Sequence, residues 1–264
     1  MRIVVVGASS GLGRCIGTGL GQRGHQVALM ARRKDRLEAA AEEAGAGTLA
    51  IAVDATDEAS CRAAVEEAVA GLGGIDGIVF TPAIGPLARI EETDADTWRR
   101  VFDTNVIGAS SFTAAALPHL KASTGTAIFL TSVSASLTPP WPGLAAYAVS
   151  KAALDKLVDA WRAEHPDVGF TRLVIGECAG GEGDSLTEFA NGWDMDLAME
   201  FAPQWIERQY MTGTLMPVER VVNVVDLVLQ AGALDAMPHL VVMPRAVQPD
   251  VVPTLEEHRA GQDS

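Results

Sequence analysis

The sequence has little positive charge, little cysteine and no long apolar run. It carries 20 basic against 34 acidic residues and a net charge of -14, so we expect neither nucleic acid nor a membrane surface as a partner. No apolar run reaches the roughly 18 residues that a membrane-spanning helix needs. The three cysteines lie far apart without a C-x-x-C spacing, which is typical of reduced thiols in the cytoplasm.

Metal-binding spacings are missing as well. The five histidines are scattered and none belongs to an H-E-x-x-H motif, so we predict no metal site. The chain does have 264 residues, 48% of them apolar, which is ample for a buried core. Neither an internal repeat nor a linker divides it, and we predict a single domain over residues 1–264.

Short apolar runs alternate with amphipathic segments along the chain. This alternation predicts an α/β fold with a parallel, doubly wound sheet and right-handed crossovers. The predicted strands are 2–6, 25–30, 48–53, 77–80, 126–130, 169–175 and 239–243. The predicted helices are 14–23, 37–44, 58–72, 95–120, 147–164 and 218–229.

The first strand runs into a glycine-rich turn, Gly7-x-x-x-Gly11-x-Gly13, and then into a helix. A turn in this context binds phosphate at the helix N-terminus. We expect Gly7 to permit the tight exit, Gly11 the approach of a pyrophosphate, and Gly13 the packing of helix on sheet. The alternative is that the glycines serve only as a turn. The candidate cofactor contacts here are Gly7, Ser9, Ser10, Gly11, Leu12 and Gly13.

Two arginines, Arg32 and Arg33, follow the second strand, and no carboxylate lies within residues 27–33. A carboxylate at this place takes ribose hydroxyls, whereas arginine accommodates a 2′-phosphate. The pair therefore favours NADP(H) over NAD(H), the alternative being a solvated basic patch. After the third strand, Asp54 is placed to accept from an adenine amine, and Ala55 is a neighbouring candidate contact.

The segment Tyr147-Ala148-Val149-Ser150-Lys151 carries the proposed chemistry. Residues four apart on a helix share one face, so the phenol and the amine are neighbours. An ammonium close to a phenol favours the phenolate, and we expect Lys151 to lower the pKa of Tyr147. Such a phenol can donate or accept a proton near neutral pH.

Other polar residues have two readings. Asn105 lies in an apolar stretch and needs hydrogen-bond partners, either as a structural backbone binder or as part of a site.

Residues 176–215 are rich in glycine at their start and in aromatic residues and methionine afterwards. We predict a lid over a hydrophobic substrate at about 180–215, or alternatively an apolar helix pair at a subunit contact.

Taken together, these motifs resemble those of the short-chain dehydrogenase/reductase family over residues 3–243. The resemblance rests on the glycine-rich turn, Asn105, Ser132 at the end of strand five, and Tyr147-x-x-x-Lys151. It implies a Rossmann-like three-layer α/β/α domain with a seven-stranded parallel sheet in the order 3-2-1-4-5-6-7. It also implies homo-oligomers, either dimers or tetramers.

The resemblance assigns roles to four residues. Tyr147 would be the proton donor in reduction and the base in oxidation, and Lys151 would lower its pKa and hold the nicotinamide ribose. Ser132 would hydrogen-bond the substrate oxygen, with Ser134 as a rival. Asn105 would hold a water in the proton relay.

Two motifs depart from the family pattern. Phe80-Thr81-Pro82-Ala83 stands where Asn-Asn-Ala-Gly is usual, and Ala179-Gly180, preceded by Glu177, stands where Pro-Gly is usual. We expect both segments to contact the cofactor, with contacts rearranged because proline lacks an N–H. The usual threonine that reaches the carboxamide would be Ser185 or Thr187, or is missing.

The sequence thus predicts an NADP(H)-dependent oxidoreductase that acts on a carbonyl or secondary alcohol of a hydrophobic substrate. The alternative is a catalytically idle relative that binds dinucleotide as a sensor or scaffold. An epimerase or dehydratase fits less well, because those relatives have a G-x-x-G-x-x-G turn and a larger substrate domain.

Overall fold

The computed structural model describes residues 1–180, 189–233, 235 and 237–245. Within them, seven strands form one parallel sheet in the order β3-β2-β1-β4-β5-β6-β9, which confirms the expected topology. A separate pair joins β7 to β8. The strands are β1 (Arg2–Val6), β2 (Gln26–Ala31), β3 (Leu49–Ala52), β4 (Gly77–Phe80), β5 (Thr126–Ser132), β6 (Gly169–Ile175), β7 (Cys178–Ala179), β8 (Met216–Pro217) and β9 (His239–Val242).

Helices cover both faces of this sheet. The helices are α1 (Gly11–Gln22), α2 (Lys34–Ala44), α3 (Glu58–Leu72), α4 (Ala95–Phe102), α5 (Gly108–Ser123), α6 (Val133–Ser136), α7 (Ala145–Glu164), α8 (Met195–Glu207) and α9 (Val218–Ala231). A 3₁₀ turn spans Ile90–Glu92, and a π-helical turn spans Asp103–Ile107.

The core has two halves because side chains alternate between the faces of a strand. Val4 and Val6 of β1 pack with Phe112 of α5 on one face. Ile3 and Val5 pack with the helices α1, α2 and α9 on the other face. Both faces of the sheet are therefore covered, which explains the continuous apolar runs of its strands.

Three local features differ from the sequence predictions. The helix predicted from residue 95 to 120 consists of α4 and α5 joined by the π-helical turn, and it ends at Ser123. Strand five extends through Thr131 and Ser132, two residues past its predicted end. Between residues 120 and 147, where no helix is predicted, the chain forms the short helix α6, and there the Ser132 hydroxyl accepts from the Ser134 N–H.

Parallel strands bring their carboxyl ends to one edge, where ligands of open α/β sheets bind. The glycine-rich turn follows β1, Thr81 follows β4, and Ser132 ends β5. In the part of the chain that the structure describes, none of the helices has the length and hydropathy of a transmembrane span.

Candidate active site

A cleft of about 720 Å³ runs along the carboxyl edge of the sheet. One end lies against the glycine-rich turn, and the other reaches Tyr147 and Lys151 of α7. Seventeen of the predicted site residues line it: Gly7, Ser9, Ser10, Gly11, Leu12, Gly13, Arg32, Arg33, Asp54, Ala55, Thr81, Pro82, Ala83, Ser132, Tyr147, Lys151 and Gly180.

The glycine-rich turn is packed too tightly for side chains. A Cβ on Gly13 would lie 2.4 Å from the carbonyl oxygen of Gly7 and 2.4 Å from Oγ1 of Thr81. Gly11 adopts a positive φ of 56° and begins α1. Ser10 precedes the helix without capping it through its side chain, so the first N–H groups of α1 are suited to an anion.

The Arg33 side chain lies across this turn. Its guanidinium donates to the hydroxyl of Ser9, at 3.0 Å from Nη2, and to the hydroxyl of Ser10 at 2.6 Å. One cation and two hydroxyls therefore meet beside the turn, which is a donor set that suits a phosphate monoester.

Asp54 is held in place by its own turn. Its Oδ1 accepts from the backbone N–H of Thr56 at 2.9 Å and from the Thr56 hydroxyl at 2.7 Å. These bonds, with a smaller contribution from the charge of Arg32, lower the pKa of Asp54. The carboxylate is thus charged at neutral pH and lies beside the cleft.

The Thr81-Pro82-Ala83 segment is joined to the end of β1 by two hydrogen bonds from Thr81. The Thr81 hydroxyl donates to the carbonyl of Val6 at 2.7 Å, and its backbone N–H donates to the same carbonyl at 3.1 Å. The Thr81 side chain thereby occupies the space above Gly7 and Gly13. Thr81 ties β4 to the end of β1 before the chain enters Pro82.

Two serine hydroxyls lie at the Tyr147 end of the cleft. Oγ of Ser132 is 2.9 Å from Oγ of Ser134, and both residues line the cleft. The Ser132 hydroxyl is the one that interacts with the Tyr147 phenol, and this contact acts to lower the phenol pKa. The geometry therefore favours Ser132 over Ser134 as the partner of Tyr147.

The environment of Tyr147 differs from the prediction. Burial raises the pKa of Tyr147 to about 12, against the smaller opposing effect of Ser132. The amine of Lys151 lies 5.9 Å from the centroid of the phenol ring. The expected lowering of the phenol pKa by Lys151 is therefore not found: burial raises the pKa, and the contact that acts against this rise comes from Ser132.

Lys151 is itself buried. Its Nζ donates to the carbonyl of Leu130 at 2.7 Å. Burial lowers the pKa of Lys151 to about 8, and the carboxylate of Asp155 acts in the opposite direction. The amine thus titrates much closer to neutrality than an exposed lysine does.

Asn105 lies in the π-helical turn and is fully buried. Its Oδ1 accepts from the N–H of Ile84 at 2.8 Å, and its Nδ2 donates to the carbonyl of Ile84 at 3.0 Å. Nδ2 also donates to the hydroxyl of Ser150 at 2.9 Å. Of the two readings left open by the sequence, these contacts support the backbone binder, and the water-relay role stays a prediction.

The segment after β6 contributes Glu177, Cys178 and Gly180 to the cleft. Gly180 packs on Leu12, whose side chain would lie 2.5 Å from a Cβ at that position. The predicted contact Ala179 is not among the residues that line the cleft, and its backbone pairs with Pro217 in the β7–β8 ladder. Its contact with a cofactor stays a prediction.

The aromatic side of the cleft was only partly anticipated. Trp141 follows α6 and stacks on Tyr210, with ring centroids 6.0 Å apart. Phe189 lies against Tyr147, with centroids 4.6 Å apart. The clustering of aromatic residues and methionine in the sequence indicated the residues from 189 onward, but nothing in the sequence indicated Trp141. The cleft residues of this side are Trp141, Leu144, Phe189, Trp193, Trp205, Met211 and Leu215.

Two tryptophans attach the segment 189–215 to the loops around the cleft. Nε1 of Trp193 donates to the carbonyl of Gly85 at 2.8 Å, and Nε1 of Trp205 donates to the carbonyl of Pro142 at 3.0 Å. The candidates Ser185 and Thr187, with the first part of the predicted lid, lie outside the described residues.

The residues present fit a dinucleotide. The uncapped helix N-terminus and the Arg33 guanidinium suit its phosphates, and the cleft continues from there to the phenol of Tyr147. Among the described residues, the acidic, histidine and cysteine side chains form no cluster able to hold a metal ion.

Comparisons with known proteins agree with this architecture. A family model described as short chain dehydrogenase matches residues 1–179. The 11-beta-hydroxysteroid dehydrogenase-like 3 of Arabidopsis thaliana is 32% identical over 180 residues, which cover 66% of this chain and 58% of that protein. An uncharacterized oxidoreductase of Staphylococcus saprophyticus is 30% identical over 195 residues, covering 73% of this chain and 78% of that protein.

Solved structures share the fold. An alcohol dehydrogenase from the archaeon Thermococcus sibiricus, complexed with 5-hydroxy-NADP, has a TM-score of 0.76 at 22% identity, covering 94% of this chain and 97% of that one. A 3-ketoacyl-(acyl-carrier-protein) reductase from Brucella melitensis, complexed with NADH, has a TM-score of 0.75 at 22% identity, covering 93% and 98%. From its sequence motifs, its sheet order and the family match over residues 1–179, the chain belongs to the short-chain dehydrogenase family.

Proposed function

We propose that this protein is an NADP(H)-dependent oxidoreductase that interconverts a carbonyl and a secondary alcohol on a hydrophobic substrate. The observation that carries the proposal is one continuous cleft, with a phosphate-binding turn at one end and Ser132, Tyr147 and Lys151 at the other. The family match supports the same class of reaction.

The side chains of the cleft divide the proton chemistry. The Ser132 hydroxyl donates a hydrogen bond to the substrate oxygen, and the Tyr147 phenol gives that oxygen its proton during reduction. In oxidation the phenolate takes the proton back. When bound, a nicotinamide dinucleotide supplies or accepts the hydride. With a pKa raised to about 12 by burial, Tyr147 holds its proton at neutral pH, which is the state that can give a proton during reduction.

We infer a preference for NADP(H) from the arginine pair. Arg33 and the hydroxyls of Ser9 and Ser10 offer charge-assisted and neutral donors to a 2′-phosphate. No acidic residue stands between Val27 and Arg33 to bind the ribose hydroxyls that NAD carries. The similar solved structures carry 5-hydroxy-NADP in one case and NADH in the other, so they favour neither cofactor.

We propose a bulky, apolar substrate with flat rings. Trp141 presents an indole to the cleft and is held by Trp205 and Tyr210, whose ring centroids lie 5.8 Å and 6.0 Å away. Such rings contribute large apolar contact areas at low conformational cost. Several curated relatives are named hydroxysteroid dehydrogenases, so fused-ring ketones and alcohols are the first class to test.

A panel assay tests the reaction. Purified protein is mixed with NADPH and fused-ring, aromatic or small aliphatic ketones, and absorbance at the NADPH band is followed, with Tyr147→Phe as the matched control. We expect turnover of fused-ring ketones by the wild type and a loss of about 10²–10⁴-fold in kcat for the variant. If both proteins bind NADPH equally and the wild type shows no turnover beyond that of the variant, the idle sensor or scaffold is the better description.

The remaining expectations stay proposals. We propose that residues 180–215 act as a substrate lid, since Trp193 and Trp205 attach the described part of this segment to the rim of the cleft.

We propose a homo-oligomer, a dimer or tetramer, because α7 exposes the apolar side chain of Val149. A cytoplasmic location is proposed from the thiol of Cys61, which is buried in the core with a pKa raised to about 11 by burial. Analytical ultracentrifugation measures the assembly state.

A further inference from the structure

The end of β5 and one face of α7 run side by side beneath the cleft. Consecutive strand residues there meet helix residues that are spaced one turn apart. The meeting pairs are Ser132 with Tyr147, Leu130 with Lys151, and Thr131 with Asp155. The first two pairs belong to the proposed site, and the third has no role in it so far.

Asp155 is a buried carboxylate with 5% of its surface exposed. Neither its Oδ1 nor the Thr131 hydroxyl has a hydrogen-bond partner within 3.5 Å among the described residues. The Thr131 hydroxyl is still close enough to favour the charged form of Asp155. Burying a carboxylate is costly unless a cation compensates for its lost hydration.

The basic side chains around Asp155 come from three elements. Lys151 lies one turn earlier on α7 with 2% of its surface exposed, Arg172 comes from β6, and His239 comes from β9. Burial raises the pKa of Asp155, and Arg172, His239 and Lys151 act against that rise. Arg172 is shared with Asp159, whose Oδ1 lies 3.6 Å from its Nε.

The other elements packed on α7 bring no buried charge to this place. The strand β5 and the helix α6 have no ionisable side chain. The residues Arg99 and Arg100 of α4 and Asp103 of the π-helical turn are exposed to solvent. Within the described residues, Asp155 is therefore the anion that acts on Lys151 from inside the protein.

We propose that Asp155 is a positioning residue that keeps Lys151 protonated and its ammonium beside the Tyr147 phenol during turnover. A charged Lys151 stabilises the negative charge that develops on the phenol oxygen when Tyr147 gives up its proton. The catalytic consequence rests on the proposed function, but the charge coupling between Asp155 and Lys151 does not.

Titration of the lysine measures the coupling without any turnover. The chain has four lysines, Lys34, Lys121, Lys151 and Lys156, so NMR spectra of protein labelled with ¹³C at the lysine ε-carbon contain few signals. The signal that is lost in Lys151→Met identifies Lys151. We expect its midpoint to move to lower pH by roughly one unit in Asp155→Asn, because an anion that favours the ammonium is gone.

Two further variants separate charge from structure. Asp155→Glu should restore the wild-type midpoint, and Asp159→Asn, which neutralises the next carboxylate along α7, should leave it unchanged. An unchanged Lys151 midpoint in Asp155→Asn overturns the proposal. If that variant does not fold, Asp155→Ser takes its place: it removes the same charge, the midpoint should shift in the same direction, and an unchanged midpoint overturns the proposal equally.

The pH profile of ketone reduction tests the catalytic consequence. The alkaline decline of kcat/KM should move to lower pH in Asp155→Asn. In Asp155→Glu it should lie at the wild-type pH again. If the Lys151 midpoint shifts while the alkaline decline does not, the positioning role is overturned. If the wild type has no activity at all, the proposed function fails while the lysine titration still decides whether Asp155 acts on Lys151.

Discussion

The side-chain amide of Asn105 makes two opposed hydrogen bonds to the backbone of one residue, Ile84. Its third bond reaches Ser150, whose hydroxyl in turn donates to the carbonyl of Tyr147 at 2.7 Å. One buried amide therefore connects the segment after β4 to the helix that carries Tyr147. The π-helical turn widens the helix at this point and directs the amide toward both partners.

Removing this amide should weaken the fold. In Asn105→Ala the two backbone groups of Ile84 lose their partner, and each unsatisfied buried group costs about 1–3 kcal/mol. We expect the free energy of unfolding to fall by roughly 2–4 kcal/mol in urea denaturation. Ser150→Ala removes one bond of the three and should cost less. If Asn105→Ala keeps the wild-type stability and loses only kcat, the amide acts in catalysis rather than as a clamp.

Activity should decline in alkaline solution. Lys151 has a pKa of about 8, so its ammonium is present below that pH and lost above it. Tyr147, with a pKa of about 12, stays protonated over the same range. We expect kcat/KM for ketone reduction to fall about tenfold per pH unit above that midpoint. A profile that stays level well past this midpoint contradicts a role for the charged amine.

The contribution of Lys151 to the free energy of unfolding should rise with pH between about 8 and 10.5, the range in which activity falls. The Lys151 pKa is lowered from 10.5 to about 8 in the folded state, so between these values the unfolded chain binds more protons. The contribution of Lys151 to the free energy of unfolding therefore rises with pH there. Denaturation curves of the wild type and Lys151→Met measure this difference. If activity falls in this pH range while the free energy of unfolding does not, the loss of activity comes from the titration of Lys151 and not from unfolding.

The cofactor preference should depend on Arg33. In Arg33→Ala we expect KM for NADPH to rise tenfold or more, because a charge-assisted bond contributes about 1.5–3 kcal/mol. KM for NADH should change less than about twofold, since it carries no 2′-phosphate. Lys34→Ala is the matched control, because Lys34 pairs with Glu38 on the surface of α2. Equal losses for both cofactors mean that Arg33 supports the turn and not a phosphate.

Substrate size should depend on Trp141. Trp141→Ala removes an indole from the cleft, and we expect kcat/KM for fused-ring ketones to fall about 10–200-fold. Small aliphatic ketones should lose little, because they do not reach that side of the cleft. Trp98→Ala, which removes an indole that packs on Phe102 in α4, is the control. Equal losses for large and small ketones contradict a substrate contact at Trp141.

Local patterns were sufficient for the strands and for the glycine-rich turn. β1, β4 and β6 have the predicted limits, because runs of buried apolar residues bounded by polar ones depend only on neighbours in the chain. The close approach of Gly13 to the carbonyl oxygen of Gly7 also follows from the turn itself, whereas the Thr81 contact with both glycines depends on the segment after β4. Trp141 could not be found this way, because its stacking partners come from a segment more than sixty residues later in the chain.

The order of residues therefore determined the parallel sheet, the phosphate-binding turn and the face of α7 that carries Tyr147 and Lys151. The tertiary structure alone decided how far those two groups are hydrated, and therefore their pKa values. Burial raises the pKa of Tyr147 and lowers that of Lys151, since both charged forms lose water. Spacing along a helix predicts which side chains are neighbours, but their hydration depends on every element that packs over them.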